Sequence, residues 1–141
     1  MTSLGLVGGF VSLLVVAFQV SANSRQARGR FLADVINRYF DDPAISGLHY
    51  QIDNKSYKFK PESWRETTEG ISRTLYYLDT VGFLVDKKVI SLEDVAILKH
   101  RIIRFFGDTE VQKAFNVMHG PGGVKGAHKP AVKLKEQLEK S

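Results

Sequence analysis

The chain has 141 residues, no cysteine, 20 basic against 15 acidic groups and a formal net charge of +5. Without cysteine there is no disulfide framework, thiolate metal site or cysteine nucleophile. The surplus charge is not a nucleic-acid stripe, because residues 31–120 hold 12 basic and 13 acidic groups; the excess sits at Arg25, Arg28 and Arg30 and in five lysines beyond residue 120, and no nucleic-acid partner is expected.

Residues 3–22 contain no charged side chain, and Gln19 is the one strongly polar group. Twenty residues of helix reach about 30 Å, the thickness of a hydrocarbon core, which predicts a transmembrane helix over residues 1–24. Two rival readings are a buried helix of a soluble domain and a cleaved leader ending at Val20-Ser21-Ala22. The leader lacks a basic region ahead of the apolar run. Arg25, Arg28 and Arg30 follow the run, where they would meet lipid headgroups and hold that side in the cytoplasm. The expectation is a single-pass protein of a bacterial inner membrane, N-terminus out, with lipid as one partner. Gly5 and Gly9 form a GxxxG spacing, extended by Gly8 and Ser12, which suits close packing against a second span in a homodimer or against another membrane protein.

Residues 25–40 read as a juxtamembrane stalk helix, with Phe31, Leu32, Val35, Ile36, Tyr39 and Phe40 at helical spacing. Asp41-Asp42-Pro43 stops it. Proline suits the first turn of a new helix and an Asp before it can cap that helix. The new helix runs to about Ile52. Residues 53–60 are polar except for Tyr57 and Phe59, and read as a loop with both aromatics packed on the domain, or as a small hairpin.

Pro61 opens the longest predicted helix of the domain, to about Val85. Ile71, Leu75, Leu78, Gly82 and Val85 form an apolar seam wider than two short helices can cover, which marks a possible partner surface. Ser91 to Asp94 reads as a capping box for a helix to about Phe106. Gly107-Asp108 breaks it, and Thr109 is placed to cap a last helix ending near His119. Residues 120–141 read as a flexible basic tail with lysines 125, 129, 133, 135 and 140, within which residues 131–140 could form a short helix with few apolar anchors, and residues 41–119 read as a cytoplasmic helical domain.

No catalytic constellation is legible. His49 and Asp53 lie four apart, but two ligands do not make a metal site. Asp41, Asp42, Asp53, Glu62, Glu66 and Glu69 are explained by caps and solvated helix faces, and His119 by a helix C-terminus. Gly120 to Gly126 lacks the spacing of a phosphate loop. Neither a cofactor nor a metal is expected, and the chain is read as non-enzymatic.

The stretches NRYFDDPAISGLHYQI (Asn37–Ile52) and RTLYYLDTVGFLVDKKVISLEDV (Arg73–Val95) resemble a group of small bacterial proteins catalogued as a domain of unknown function. The likeness covers residues 4–118 and implies a bacterial membrane protein, with no catalytic residue attached. The fold class expected is all-α, a transmembrane helix followed by a bundle of three to four helices. The function expected is an interaction, accessory or scaffold subunit at the cytoplasmic membrane face. The alternatives are a membrane-acting stress, prophage-exclusion or defence effector, and a membrane-tethered enzyme with an unrecognised site.

Overall fold

A computed structural model describes residues 11–15, 25–120 and 123–141. Among these residues every regular element is helical. The main helices are α1 (Arg25–Asp41), α2 (Pro43–Asp53), α3 (Glu69–Asp86), α4 (Lys99–Gly107), α5 (Thr109–His119) and α6 (Lys129–Lys140). Short turns at Pro61–Ser63, Trp64–Thr67, Glu93–Leu98 and Gly123–Ala127 join them.

The spanning helix predicted over residues 1–24 is corrected. Among the described residues no helix is long and apolar enough to cross a membrane. Residues 11–15 are helical, and Leu13 is 2% exposed within the same core as Phe31 and Val35. A side chain sealed among protein side chains is not available to lipid. An uncharged run identifies a segment that avoids water, and both a bilayer and a protein core satisfy that demand. The single-pass topology and the inner-membrane localisation fall with the span. Gly5, Gly8 and Gly9 lie outside the described residues, and Ser12 sits in the short helical stretch.

The α1–α2 corner is built by local chemistry. The Asp42 carboxylate accepts from the Ala44 and Ile45 N–H groups at 2.9 and 3.2 Å, and Pro43 occupies the first turn. Arg73 of α3 grips the same carboxylate with Nε at 3.0 Å and an Nη at 2.8 Å, which ties the corner to the central helix.

The long helix predicted from Pro61 is interrupted. Thr68 leaves helical geometry (φ −105°, ψ 2°), and α3 starts only at Glu69. The Thr68 hydroxyl donates to the Trp64 carbonyl at 2.6 Å and that of Thr67 to the Ser63 carbonyl at 3.1 Å. Two adjacent β-branched hydroxyls thus occupy carbonyls at this joint and favour a bend. The bend delivers Gly70 against α2, where an added Cβ would lie 2.8 Å from the Ala44 carbonyl oxygen.

The capping box is present: Ser91 N–H donates to Asp94 at 2.8 Å, and Asp94 N–H donates to the Ser91 hydroxyl at 3.1 Å. It opens a 3-10 segment rather than α4 itself. The cap of α5 is Asp108, not Thr109; its carboxylate accepts from the Glu110 and Val111 N–H groups, each at 3.0 Å.

The largest departure is at the C-terminus. In place of a flexible tail, residues 129–140 form α6, with Ala131, Leu134 and Leu138 fully buried. Their spacing of three and four puts them on one helical stripe, which packs on α3 and α4. Gly82 makes this possible, because a Cβ there would lie 2.5 Å from the Pro130 carbonyl oxygen.

Candidate functional site

A trough of about 510 Å³ lies between α2 and the chain from Ser56 to Gly70. The α2 bank presents Ala44, Gly47, Leu48 and Gln51; the facing bank presents Lys58, Lys60, Glu66 and Glu69. The floor is buried Tyr57, whose hydroxyl donates to the Thr67 carbonyl at 2.7 Å and thereby fastens the loop to the turn opposite. Burial, with Asp108 and then Glu110 nearby, pushes that hydroxyl up to about 12, so it stays a neutral donor. Tyr50 stands three residues after Gly47 and one before Gln51, which places it at the edge of the lining face, and it is 71% exposed.

Gly47 is the informative residue. It lies inside α2, where glycine costs about 0.5–1 kcal/mol relative to alanine. A Cβ built at Gly47 meets nothing within 4 Å. Gly70 and Gly82 repay the same cost by close approach of backbone; Gly47 serves no packing contact, and its effect is to leave the trough open. Among the described residues, Lys58, Lys60, Glu66 and Glu69 enter no ion pair, although the Lys58 charge acts on the Glu110 carboxyl, so one wall carries both signs of charge.

Two titratable clusters lie elsewhere. In the core, the Tyr39 hydroxyl meets His49 Nε2 at 2.5 Å, and the Tyr77 hydroxyl donates to the Val35 carbonyl at 2.5 Å. Burial raises the Tyr39 pKa far above its ordinary value and lowers that of His49 to about 4, with Arg101 adding to the latter. Tyr39 is therefore the donor and neutral His49 the acceptor. Both residues are 1% exposed, so no substrate reaches them. The second cluster joins Asp79, His119 and His128, with His128 Nδ1 2.6 Å from Asp79. Among the described residues no group of three or more His, Asp or Glu side chains is arranged to hold a metal ion.

The residues singled out in the sequence are dispersed. Arg28 donates to the Val89 carbonyl at 2.9 Å and pairs with Asp94 at 2.8 Å, so it braces α1 instead of facing headgroups. Arg30 is exposed on α1, and Arg25 is its first residue. Ile71, Leu75 and Leu78 are 0% exposed, Gly82 is buried and Val85 half-buried. The apolar seam expected to receive a partner is thus covered from within the chain, in part by α6. His49 and Asp53 form no common ligand set, since His49 is buried against Tyr39 and Asp53 pairs with Arg104 at 2.7 Å. His119 does sit at the end of α5, but burial lowers its pKa and the neighbouring His128 lowers it further, which disfavours the imidazolium that a helix C-terminus suits. The trough escaped sequence reasoning, and a mid-helix glycine was its one visible trace.

No family model, no curated protein and no solved structure matches this chain. The functional reading therefore rests on its own residues.

Proposed function

We propose that this protein is a non-catalytic recognition module that holds an extended segment of a partner polypeptide in the trough between α2 and residues 56–70. The observation that carries this reading is Gly47, a helix-weakening residue that lines the trough and leaves its α2 bank open. The charges that enter no ion pair specify the ligand further. A polypeptide can offer an acidic side chain to Lys58 and Lys60 and a basic one to Glu66 and Glu69, with an apolar side chain against Tyr50 at the rim. Such an arrangement gives orientation and selectivity more than raw affinity.

The test is selection from a random peptide library on the full chain, with Gly47→Leu as the counter-target. Leucine fits the helix and fills the open space. Selected peptides should carry both signs of charge, shift the amide resonances of residues 44–51 and 56–70, and lose at least tenfold in affinity for the variant. Peptides that bind Gly47→Leu as well as wild type would overturn the assignment.

A further inference from the structure

α6 begins at an unusual joint. His128 is its N-cap residue and is 7% exposed. His128 Nδ1 lies 2.6 Å from Asp79 Oδ2, and since a carboxylate only accepts, Nδ1 carries the proton. The other carboxylate oxygen accepts from the Ala131 N–H at 3.0 Å. A side chain of α3 therefore does for α6 what an N-cap side chain ordinarily does, and holds the helix in its berth by two bonds. Against the other side of the His128 ring lies His119, the last residue of α5, with ring centroids 5.1 Å apart at 74°. His119 Nε2 is buried and has no hydrogen-bond partner among the described residues. Two imidazoles and one carboxylate, from three elements, thus meet where α6 is fastened.

We propose that this joint is an acid-operated latch, closed at neutral pH and released between about pH 5 and 6.5, the range in which histidine ordinarily gains its proton. The charged and titratable groups around it explain the direction. From α3 come Asp79, Tyr76 edge-on to His128 at 5.5 Å, and Asp86, which is engaged by Lys133 at 2.7 Å. The short helix Gly123–Ala127 brings Lys125, α6 brings Lys129 and Lys133, and α5 brings His119. Among the described residues, Asp79 is the one carboxylate that bonds to either ring, and it faces His128. A proton on His128 is therefore matched by Asp79. A proton on His119 would place a second cation against the His128 ring, on a buried nitrogen with no acceptor. With α6 released, the His119 ring reaches water and charges near its ordinary value. His119 is held neutral in the closed joint, which is consistent with its lowered pKa. For a base depressed in the closed state, the closing free energy is complete above the open-state pKa and is lost as pH falls below it. Release of α6 bares the surface of α3 and α4 that Ala131, Leu134 and Leu138 cover.

Hydrogen exchange on the full chain at pH 7.5 and 5.5 tests this, read as protection factors so that the intrinsic pH dependence cancels. Amides of residues 132–140 should lose protection at least tenfold more than core amides of residues 71–84. His119→Phe keeps the ring contact without the proton and should abolish the difference; His119→Gln serves if the phenylalanine variant fails to fold. The His119 ring resonances of wild type should titrate below 6.5. Equal loss in the two segments, equal loss in wild type and variant, or titration of His119 at or above its ordinary value would each overturn the proposal.

Discussion

Three glycines show how one residue type carries three meanings. Gly70 and Gly82 sit where a Cβ would strike backbone, whereas Gly47 faces open space. Gly82→Ala must push Pro130 away and is expected to cost about 1–3 kcal/mol, an overpacking effect. Gly47→Ala adds helix propensity without a clash and should stabilise by about 0.5–1 kcal/mol. Urea unfolding of the two variants checks the opposite signs. His49 supplies a pH dependence at the same scale. Its folded pKa is lowered to about 4 by burial, with Arg101 adding. The unfolded chain therefore takes the proton first as pH falls. Its contribution is intact above about 6.5 and drains away between there and 4, about 3 kcal/mol in all. Chemical denaturation at pH 7 and pH 4.5 should show most of this loss. A midpoint independent of pH would mean that His49 is not held neutral.

At the scale of elements, helix ends governed by neighbouring residues were legible. Asp42-Pro43 starts a helix because a carboxylate and a fixed φ satisfy the first turn whatever surrounds them. The Ser91–Asp94 box is local in the same sense. Harder to read were the joints that neighbours decide. The apolar spacing of residues 61–85 continues through Thr67-Thr68, and the bend there is settled by hydroxyl bonds and by the approach of Gly70 to α2. The spacing of Ala131, Leu134 and Leu138 was present in the sequence, but the surrounding lysines made the segment look solvated. α6 is fastened by Asp79, and Asp79→Ala removes the acceptor of both His128 and the Ala131 N–H. The expected cost is that of a lost cap plus a buried unpaired donor, about 2–3 kcal/mol. Asp79→Asn, which keeps one acceptor, should lose less. The comparison of unfolding midpoints tests whether the carboxylate caps the helix from outside.

For the whole molecule, the question is whether α6 belongs to the core or decorates it. Leu134 is 0% exposed, and Leu134→Ala is expected to cost about 2–4 kcal/mol at neutral pH, as for a leucine in any well-packed core. A loss under about 0.5 kcal/mol would be the behaviour of a surface residue and would return the segment to the status of a tail. The same scale explains why both candidate sites were invisible beforehand. The trough needs α2 and residues 56–70 on opposite banks, and the latch needs residues 79, 119 and 128 at one point. Neither set has a spacing that names it.

What the sequence determined by itself is the class and the punctuation: helices as the regular elements of the described residues, stops at Asp41–Pro43 and Gly107-Asp108, and apolar stripes at helical period. These follow from backbone groups that must be satisfied within a turn or two of their own position. What only the tertiary structure decided is where each apolar stripe finds its cover. The uncharged N-terminal run suits lipid by composition, yet its described part places Leu13 in the protein core. The seam of α3 looked open to a partner and is partly closed by α6. Burial of apolar surface has no direction and no preferred partner, so the packing of the whole chain chooses among surfaces that the sequence leaves equivalent.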